Sequence, residues 1–123
     1  MQKQQIESKQ NYTEVISLCI EKVVMQLIKS GQIIEKVKSL EAIINNNLTN
    51  ISKSKSTSIE LKRIINSDKT LESKILLTMK NLQIIEINQN GKRVKFYDDR
   101  LQEFKESSYS CEDFRNRVRD SLI

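Results

Sequence analysis

The fold is decided by residues 58–97, which read SIELKRIINSDKTLESKILLTMKNLQIIEINQNGKRVKFY. Ser58 is a good N-terminal cap for a helix, and the polar residues 67–69 interrupt that helix. Apolar residues at steps of three and four then predict a second helix over residues 70–82. Apolar and polar residues alternate on both sides of Asn90-Gly91, which predicts a β-hairpin. The predicted order is therefore helix, tight turn, helix and hairpin.

The positive charge of the chain is concentrated in and just before this stretch. The whole chain has 21 Lys and Arg, 16 Asp and Glu, and a net charge of +5. Residues 53–95 hold 10 basic and 4 acidic groups. Residues 1–52 hold 6 basic and 5 acidic groups, and residues 96–123 hold 5 basic and 7 acidic groups. A local basic field attracts polyanions and is the usual electrostatic footprint of nucleic-acid binding. A lysine-rich, solvated surface is the alternative explanation.

Length and composition indicate one intracellular domain. A chain of 123 residues is the size of a single domain. The sequence contains no run of about 18 apolar residues, so a membrane-spanning helix is not expected. The first residues lack the apolar core of a secretory signal, and Cys19 and Cys111 lie far apart without paired spacing. We therefore expect reduced thiols and an intracellular location, which is the nucleus in a eukaryote and otherwise the cytoplasm or nucleoid.

The residue types on which many enzymes depend are missing. The chain has no His, so a Ser-His or Cys-His nucleophile pair cannot form, and zinc is not expected with two Cys alone. The two glycines, Gly31 and Gly91, do not form a phosphate-binding loop. The sequence predicts a protein that is not an enzyme and that uses no metal or cofactor.

The flanking segments predict further helices. Residues 1–10 are polar and are expected to form a disordered tail. The helix that follows, capped by Asn11 or Thr13 and ended by Gly31, carries an apolar stripe wide enough to be buried on more than one side. The predicted single domain spans residues 11–123, with a helical pair at 11–48, a Ser/Lys loop at 49–58, the helix-turn-helix and hairpin at 59–97 and C-terminal helices at 98–123.

Polar side chains on the two central elements are the candidate binding residues. The outward side of the 70–82 helix is predicted to carry Lys69, Thr70, Glu72, Ser73, Lys74, Thr78 and Lys80. Small hydroxyls and long cations near a helix start suit phosphates and base edges in a major groove, and a basic hairpin suits a phosphate backbone. The predicted DNA contacts are Lys69, Thr70, Ser73, Lys74, Lys92, Arg93 and Lys95. In the Ser/Lys loop, Lys53 and Lys55 either follow a phosphate backbone or belong to a solvated linker. An ordinary solvent-exposed face is the alternative for the helix residues, and solubilising a sheet edge is the alternative for the hairpin.

Residues 58–97 resemble winged helix-turn-helix domains, including MarR-like regulators. Such domains often begin the recognition helix with Thr and two apolar residues spaced by four, followed by a Leu, a short strand and a basic wing. The matching residues here are Thr70, Leu71, Ile75, Leu82, 84–87, Lys92 and Arg93. Gln83 departs from the pattern, because such domains usually carry Gly before the strand. The resemblance implies a mainly α fold with a small β-hairpin, that is, a winged-helix-like helical domain with flanking N- and C-terminal helices.

The resemblance implies a non-enzymatic module that binds duplex DNA. The helices at 11–48 would then serve assembly, either as a homodimer or with a protein partner, and no membrane is expected. Such a chain would be an accessory or regulatory subunit that places a larger complex, for example a DNA-modifying methyltransferase or a transcription assembly, on DNA. In size and charge it is similar to small helix-turn-helix or homeobox-like subunits of DNA adenine methyltransferase complexes. The alternative is a protein–protein adaptor that uses a winged helix as a scaffold without contacting nucleic acid.

Overall fold

The computed structural model describes the backbone of residues 2–88, 90–106 and 111–122, and the side chains of residues 9–88, 90–106 and 112–122. These residues form helices and a two-stranded antiparallel hairpin, which confirms the predicted fold class. In chain order the elements are α1 (Gln2–Ser30), α2 (Val37–Lys53), α3 (Ile59–Ser67), α4 (Leu71–Asn81), β1 (Ile85–Ile87), β2 (Val94–Phe96), α5 (Asp98–Lys105) and α6 (Cys111–Ser121). None of the helices in this described part combines the length and apolar content that crossing a bilayer requires.

Helix α1 is the centre of the structure, and all the other helices pack against it. The wide apolar stripe is buried around much of the helix, as predicted: Val15, Ile16, Cys19, Ile20, Val23 and Val24 are all 0% exposed. Ser17 is equally buried, and its hydroxyl donates to the Thr13 carbonyl at 2.6 Å. A helix that is apolar around most of its circumference belongs in a core. The stripe is therefore covered by the chain itself, and the exposed large apolar side chains of residues 11–48 are Met25 and Ile33.

The beginning of α1 differs from the prediction. The sequence predicted a disordered tail over residues 1–10 and a cap at Asn11 or Thr13, but the helix already begins at Gln2. This segment contains no Gly or Pro and is rich in Gln and Lys, which are good helix formers. Extending a helix that packing has already nucleated adds one hydrogen bond for each residue fixed, so the polar segment continues the buried helix. The other end is as predicted, because Gly31 has a φ of 65° and its N–H donates to the Leu27 carbonyl at 3.0 Å.

The sequence predicts the second helix of the pair over about residues 33–48, and α2 differs from that prediction at both ends. It begins at Val37 because the preceding residues run alongside β2, and it continues to Lys53, so the loop predicted at 49–58 is only residues 54–58. The extension follows from Ile51, which is 2% exposed and continues the buried face of Leu48 three positions later. Polar contacts join α2 to α1 as well, since Asn47 Nδ2 donates to Gln26 Oε1 at 3.0 Å.

Helices α3 and α4 are the predicted pair joined by a tight turn. Ser58 caps α3 as predicted, with its hydroxyl accepting from the Leu61 N–H at 3.3 Å. Two side chains of α4 lie on unexpected sides. Thr78, predicted to face solvent, is 2% exposed, and its apolar neighbour Leu77 is 55% exposed. Thr78 is tolerated inside because its hydroxyl donates to the Lys74 carbonyl at 2.7 Å, which satisfies its polar group within the helix.

A tight cap ends α4 and directs the chain into β1. The Ile84 N–H donates to the Met79 carbonyl at 2.9 Å and the Gln83 N–H donates to the Lys80 carbonyl at 3.0 Å, which are the two bonds of a Schellman motif. Gln83 has a φ of 59°, in the left-handed region that favours glycine. The structure thus explains why the sequence pattern expected Gly here: the backbone has the conformation that Gly adopts most easily.

The hairpin is held on both edges of β2. On one edge the register pairs Ile85 with Phe96, Glu86 with Lys95 and Ile87 with Val94. Val94 is buried and Phe96 partly buried, so the apolar residues of the alternating pattern form the inward face. On the other edge, Arg93 forms an antiparallel bridge with Lys36 of the link between α1 and α2. Helices α5 and α6 complete the core, where the rings of Phe104 and Phe114 meet edge to face with centroids 5.3 Å apart.

Candidate nucleic-acid interface

The outer face of α4 is a solvent-exposed stripe at helical spacing. Its exposed members are Ser73, Lys74, Leu77, Lys80 and Asn81, and Lys69 and Thr70 precede them in the turn. Lys69 and Lys80 form no salt bridge to any residue that the structure describes. Both of these ammonium groups are therefore available to an incoming anion. Leu77 adds an apolar side chain to the middle of the same face.

Glu72, predicted to lie on this outer face, is turned towards α2. Its carboxylate accepts a hydrogen bond from the Asn45 side-chain amide. A hydrogen bond with Glu72, partial burial and the negative charge of Glu72 together raise the pKa of Glu41, which also lies on α2. Because Glu72 is directed at α2, its negative charge is drawn away from the exposed stripe of α4.

A network around Asp68 fixes the turn between α3 and α4. One carboxylate oxygen accepts from the Thr70 N–H at 2.8 Å and from the Thr70 hydroxyl at 2.6 Å. The other accepts from the Tyr12 hydroxyl at 2.7 Å and from Lys74 Nζ at 2.7 Å. The Lys74 ammonium also lies 4.6 Å from the centroid of the Tyr12 ring, a cation–π distance. Two of the predicted DNA contacts, Thr70 and Lys74, are thus brought together by an internal carboxylate.

The protonation properties of this network follow from its hydrogen bonds. Burial of Asp68 opposes its ionisation, but the hydrogen bonds from Lys74, Thr70 and Tyr12 outweigh that cost and hold its pKa well below the ordinary value. Burial and the bond to Asp68 raise the pKa of Tyr12 to about 12. Asp68 is therefore ionised at neutral pH, and its charge compensates that of Lys74. We interpret Lys74 as a residue that stabilises the turn and contributes little free positive charge to the surface.

A second group of cations lies on the outer face of the hairpin. Arg93 immediately precedes β2 and is two residues from Lys95, so the two share one face, and the bridge places Lys36 beside Arg93 on that face. All three are exposed. Glu86 is opposite Lys95 in the register, and it accepts a hydrogen bond from the Tyr97 hydroxyl at 2.9 Å. We call Lys36, Arg93 and Lys95 the hairpin cluster.

The other predicted hairpin cation is placed differently. Lys92 is adjacent to Arg93, and the pleat of an extended chain directs neighbouring side chains to opposite faces. Its carbonyl accepts from the Val37 N–H at 3.0 Å, so its backbone helps to attach the link to the hairpin. Lys36 takes its place in the cluster, and sequence reasoning missed it because its partner is far away in the chain. The local signal was a Lys just before an apolar helix, within Glu35-Lys36-Val37-Lys38.

A polar cleft lies between α2 and the turn that precedes α4. It has a volume of about 450 Å³, and Lys53 and Lys69 both line it. The cleft is also lined by Asn66, Ser52, Glu72 and Asp68, so neutral hydrogen-bonding groups and two carboxylates accompany the two cations. The structure therefore brings Lys53, the basic residue singled out before the loop, close to the predicted contact Lys69.

A partly apolar groove adjoins the hairpin cluster. Its volume is about 620 Å³, and its apolar lining comes from α1, the α1–α2 link, β2 and α5, including Ile28, Phe96 and Leu101. Ile33, which also lines the groove, is 83% exposed. Arg93 and Lys95 of the hairpin cluster also line this groove, together with Glu35, Glu86 and Asp98, so its lining is partly apolar and partly charged.

Comparisons with known proteins assign no family to the chain. No family model matches it, and no curated protein and no solved structure is significantly similar to it. The resemblance to winged helix-turn-helix domains therefore remains one of residue pattern and element order. The features that bear on function are the exposed cations at α4 and in the hairpin cluster.

Proposed function

We propose that this chain is a non-enzymatic module that binds duplex DNA and acts as an accessory or regulatory subunit of a larger assembly, such as a DNA-modifying methyltransferase or a transcription complex. The observation that supports this most is the set of exposed, unneutralised cations on two neighbouring elements of the chain. At α4 they are Lys69, in the turn before the helix, and Lys80; at the hairpin they are Arg93 and Lys95, with Lys36 of the α1–α2 link beside them. A duplex that contacted both groups would meet five cations, enough to engage several phosphates.

The outer face of α4 provides the groove contact in this proposal. Ser73 is exposed near the start of the helix, where a small hydroxyl can approach a phosphate or a base edge closely. Leu77 can contact the methyl group of a thymine, which is a common apolar contact in the major groove. The hairpin cluster then contacts the backbone beside the helix. Whether base sequence is read depends on the α4 contacts alone, because phosphate contacts carry no sequence information.

Salt-dependent binding to a labelled duplex of about 20 base pairs tests the proposal. We expect log Kd to change with log salt by about 3 to 5 units per decade, because each phosphate engaged contributes about 0.9. The variants Lys69→Gln with Lys80→Gln, and Arg93→Gln with Lys95→Gln, should each lower this dependence by about 2. A charge-matched control is Lys22→Gln with Lys29→Gln on α1, which should leave it unchanged. Equal losses in the control and the test variants would contradict the proposed surface.

Lys74 needs separate treatment in such experiments. A Lys74→Glu substitution would place a second carboxylate beside Asp68, in contact distance of a group that is only 11% exposed. It is therefore expected to destabilise the turn, and lost binding would not report on the surface. Lys74→Gln avoids the repulsion and is expected to change duplex affinity by less than about twofold, since the charge it removes is already compensated by Asp68.

The adaptor function is favoured by one specific observation, the partly apolar groove with exposed Ile33 at its edge. A partner or homodimer contact within residues 11–48 would have to use this region or Met25, because the stripe of α1 is internal. An adaptor would show no duplex affinity even at low salt. Duplex binding that Ile33→Lys leaves unchanged, together with a monomeric mass by light scattering, would instead favour the DNA-binding proposal.

A further inference from the structure

Two like charges face each other across the isolated bridge in the hairpin cluster. The bridge between Lys36 and Arg93 is flanked by the bond from the Val37 N–H to the Lys92 carbonyl and by the bond from the Val94 N–H to the Glu35 carbonyl. That arrangement makes Lys36 and Arg93 a non-hydrogen-bonded antiparallel pair, in which the Cα atoms lie about 4.5 Å apart and the side chains are closest. The two cationic side chains therefore leave the backbone side by side on one face.

Carboxylates lie near this charge, since Glu35, Glu86 and Asp98 line the same groove as Arg93 and Lys95, but none of them forms a salt bridge with it in the described part of the chain. Lys95, two residues beyond Arg93, adds a third cation to the face, and Glu86 is the one carboxylate opposite it in the register. Glu86 already accepts from the Tyr97 hydroxyl. Within the described residues, none of the three cations of the hairpin cluster forms a salt bridge. Like charges directly opposite each other on a sheet are destabilising, so the face has an excess of positive charge in the unbound protein.

We propose that the hairpin cluster is a phosphate site, and that Lys36, which lies outside the helix-turn-helix and hairpin, is one of its ligands. The proposal rests on the proposed function, since it assigns the site to a phosphodiester group of bound duplex DNA. An anion placed between Lys36 and Arg93 replaces their repulsion with two attractions, and Lys95 provides a third contact at the same face. The site also makes the α1–α2 link part of the binding surface, because the bridge attaches that link to β2.

The proposal has a signature that a merely structural role for Lys36 would not give. Removing the charge of Lys36 relieves the repulsion in the unbound protein, so Lys36→Gln should raise the Tm at low salt by about 1 to 3 °C. The same substitution should weaken duplex binding about threefold to fivefold and lower the salt dependence by about 0.9, the contribution of one phosphate. Stability and affinity thus change in opposite directions.

The experiment compares the full chain with Lys36→Gln and with the control Lys22→Gln, which removes the same charge from an exposed position on α1. Three quantities are measured: the Tm at low salt, the rise in Tm with added inorganic phosphate, and the affinity for the labelled duplex. We expect phosphate to raise the Tm of the wild-type chain and of Lys22→Gln more than that of Lys36→Gln. An equal rise in all three proteins would overturn the phosphate site.

The arms separate this inference from the proposed function. If the wild-type chain binds the duplex and Lys36→Gln binds it equally well, the DNA-binding proposal stands and the assignment of Lys36 is wrong. If no chain binds the duplex but phosphate stabilises the wild-type chain more than Lys36→Gln, the site binds free phosphate, and the assignment to DNA is wrong. Weaker duplex binding by Lys36→Gln, with a raised Tm and a reduced response to phosphate, supports both.

Discussion

The Asp68 network is expected to contribute a large share of the stability of the α3–α4 turn, and Asp68→Ala measures it. The substitution removes the acceptor of four hydrogen bonds, from the Tyr12 hydroxyl, the Thr70 N–H and hydroxyl, and Lys74 Nζ. The Lys74 side chain is 45% exposed, so its ion pair contributes about 0 to 1 kcal/mol. Loss of the turn-capping bonds to Thr70 costs about 1 kcal/mol, and the partly buried Tyr12 hydroxyl left without an acceptor costs about 1 to 2 kcal/mol. The expected loss is about 2 to 4 kcal/mol.

Urea denaturation followed by circular dichroism tests this magnitude. Asp120→Ala is the matched control, because Asp120 pairs with Arg119 at 3.7 Å while 67% exposed, and its removal should cost less than about 0.5 kcal/mol. Tyr12→Phe removes one of the four bonds and should cost about 1 kcal/mol. If Asp68→Ala cost no more than the Asp120 control, the network would not stabilise the turn as described. Coupling between Tyr12→Phe and Asp68→Asn of about 0.5 kcal/mol or more would confirm direct contact.

The same network predicts how stability depends on pH. The folded pKa of Asp68 is lower than its value of about 3.9 in an unfolded chain, so its contribution is fully present above that value. The contribution should fall progressively as the pH drops below about 4, where the unfolded chain takes up a proton more readily than the folded one. Asp68→Asn should remove this part of the acid dependence. An unchanged acid-unfolding profile in Asp68→Asn would show that the carboxylate is not selectively stabilised in the folded state.

Three further predictions concern single positions. Gln83→Gly should stabilise the protein by about 0.5 to 1 kcal/mol, measured by urea denaturation. Gly relieves the left-handed strain at a φ of 59°, and this gain exceeds the larger conformational entropy that Gly loses on folding; destabilisation would contradict the cap geometry. Glu41→Gln should raise stability near pH 7 and change it little near pH 4. The pKa of Glu41 is raised in the folded chain, so its ionisation at higher pH costs stability, and the negative charge of Glu72 then repels it. An effect of the substitution that did not depend on pH would exclude the interaction between Glu41 and Glu72. In a Cys111→Ser background, the Cys19 thiol should react with a thiol reagent only as the chain unfolds. Cys19 is 0% exposed, and burial raises the pKa of its thiol to about 12. Rapid labelling of Cys19 in the folded protein would refute its burial.

Local signals in the sequence predicted most of the elements. Ser58, Gly31 and the Asn90-Gly91 turn act through their own backbone or near neighbours, so their effect can be read without knowing the fold. The early start of α1 and the extension of α2 to Lys53 were missed because both depend on packing that stabilises weak helical sequence. For the same reason the sides of Leu77 and Thr78 could not be assigned, since one residue of rotation decides which of them faces the core.

The candidate site was predictable only in part. The exposure of Lys69, Ser73, Arg93 and Lys95 followed from helical and strand periodicity. The ion pair of Lys74 with Asp68 could not be predicted from that periodicity. Asp68 is six residues before Lys74 and lies outside the helix, and the Tyr12 hydroxyl that shares its carboxylate is 56 residues before Asp68. Lys36 was missed for a similar reason. Its position beside Arg93 is a tertiary pairing between the α1–α2 link and the residue before β2, and no pattern within either segment indicates it.

The unpaired thiol of Cys19 is buried as a small apolar side chain, while the side chain of Cys111 lies outside the described residues.

The most direct test of the account is duplex binding as a function of salt by a chain that lacks one cation of each group. Lys69→Gln and Arg93→Gln remove one charge from the turn before α4 and one from the hairpin cluster without touching the Asp68 network. We predict that this double variant keeps the circular-dichroism spectrum and Tm of the wild-type chain within about 3 °C and loses about 2 units of salt dependence together with most of its affinity at low salt. A folded double variant that binds duplex DNA as tightly, and with the same salt dependence, as the wild-type chain would contradict the account.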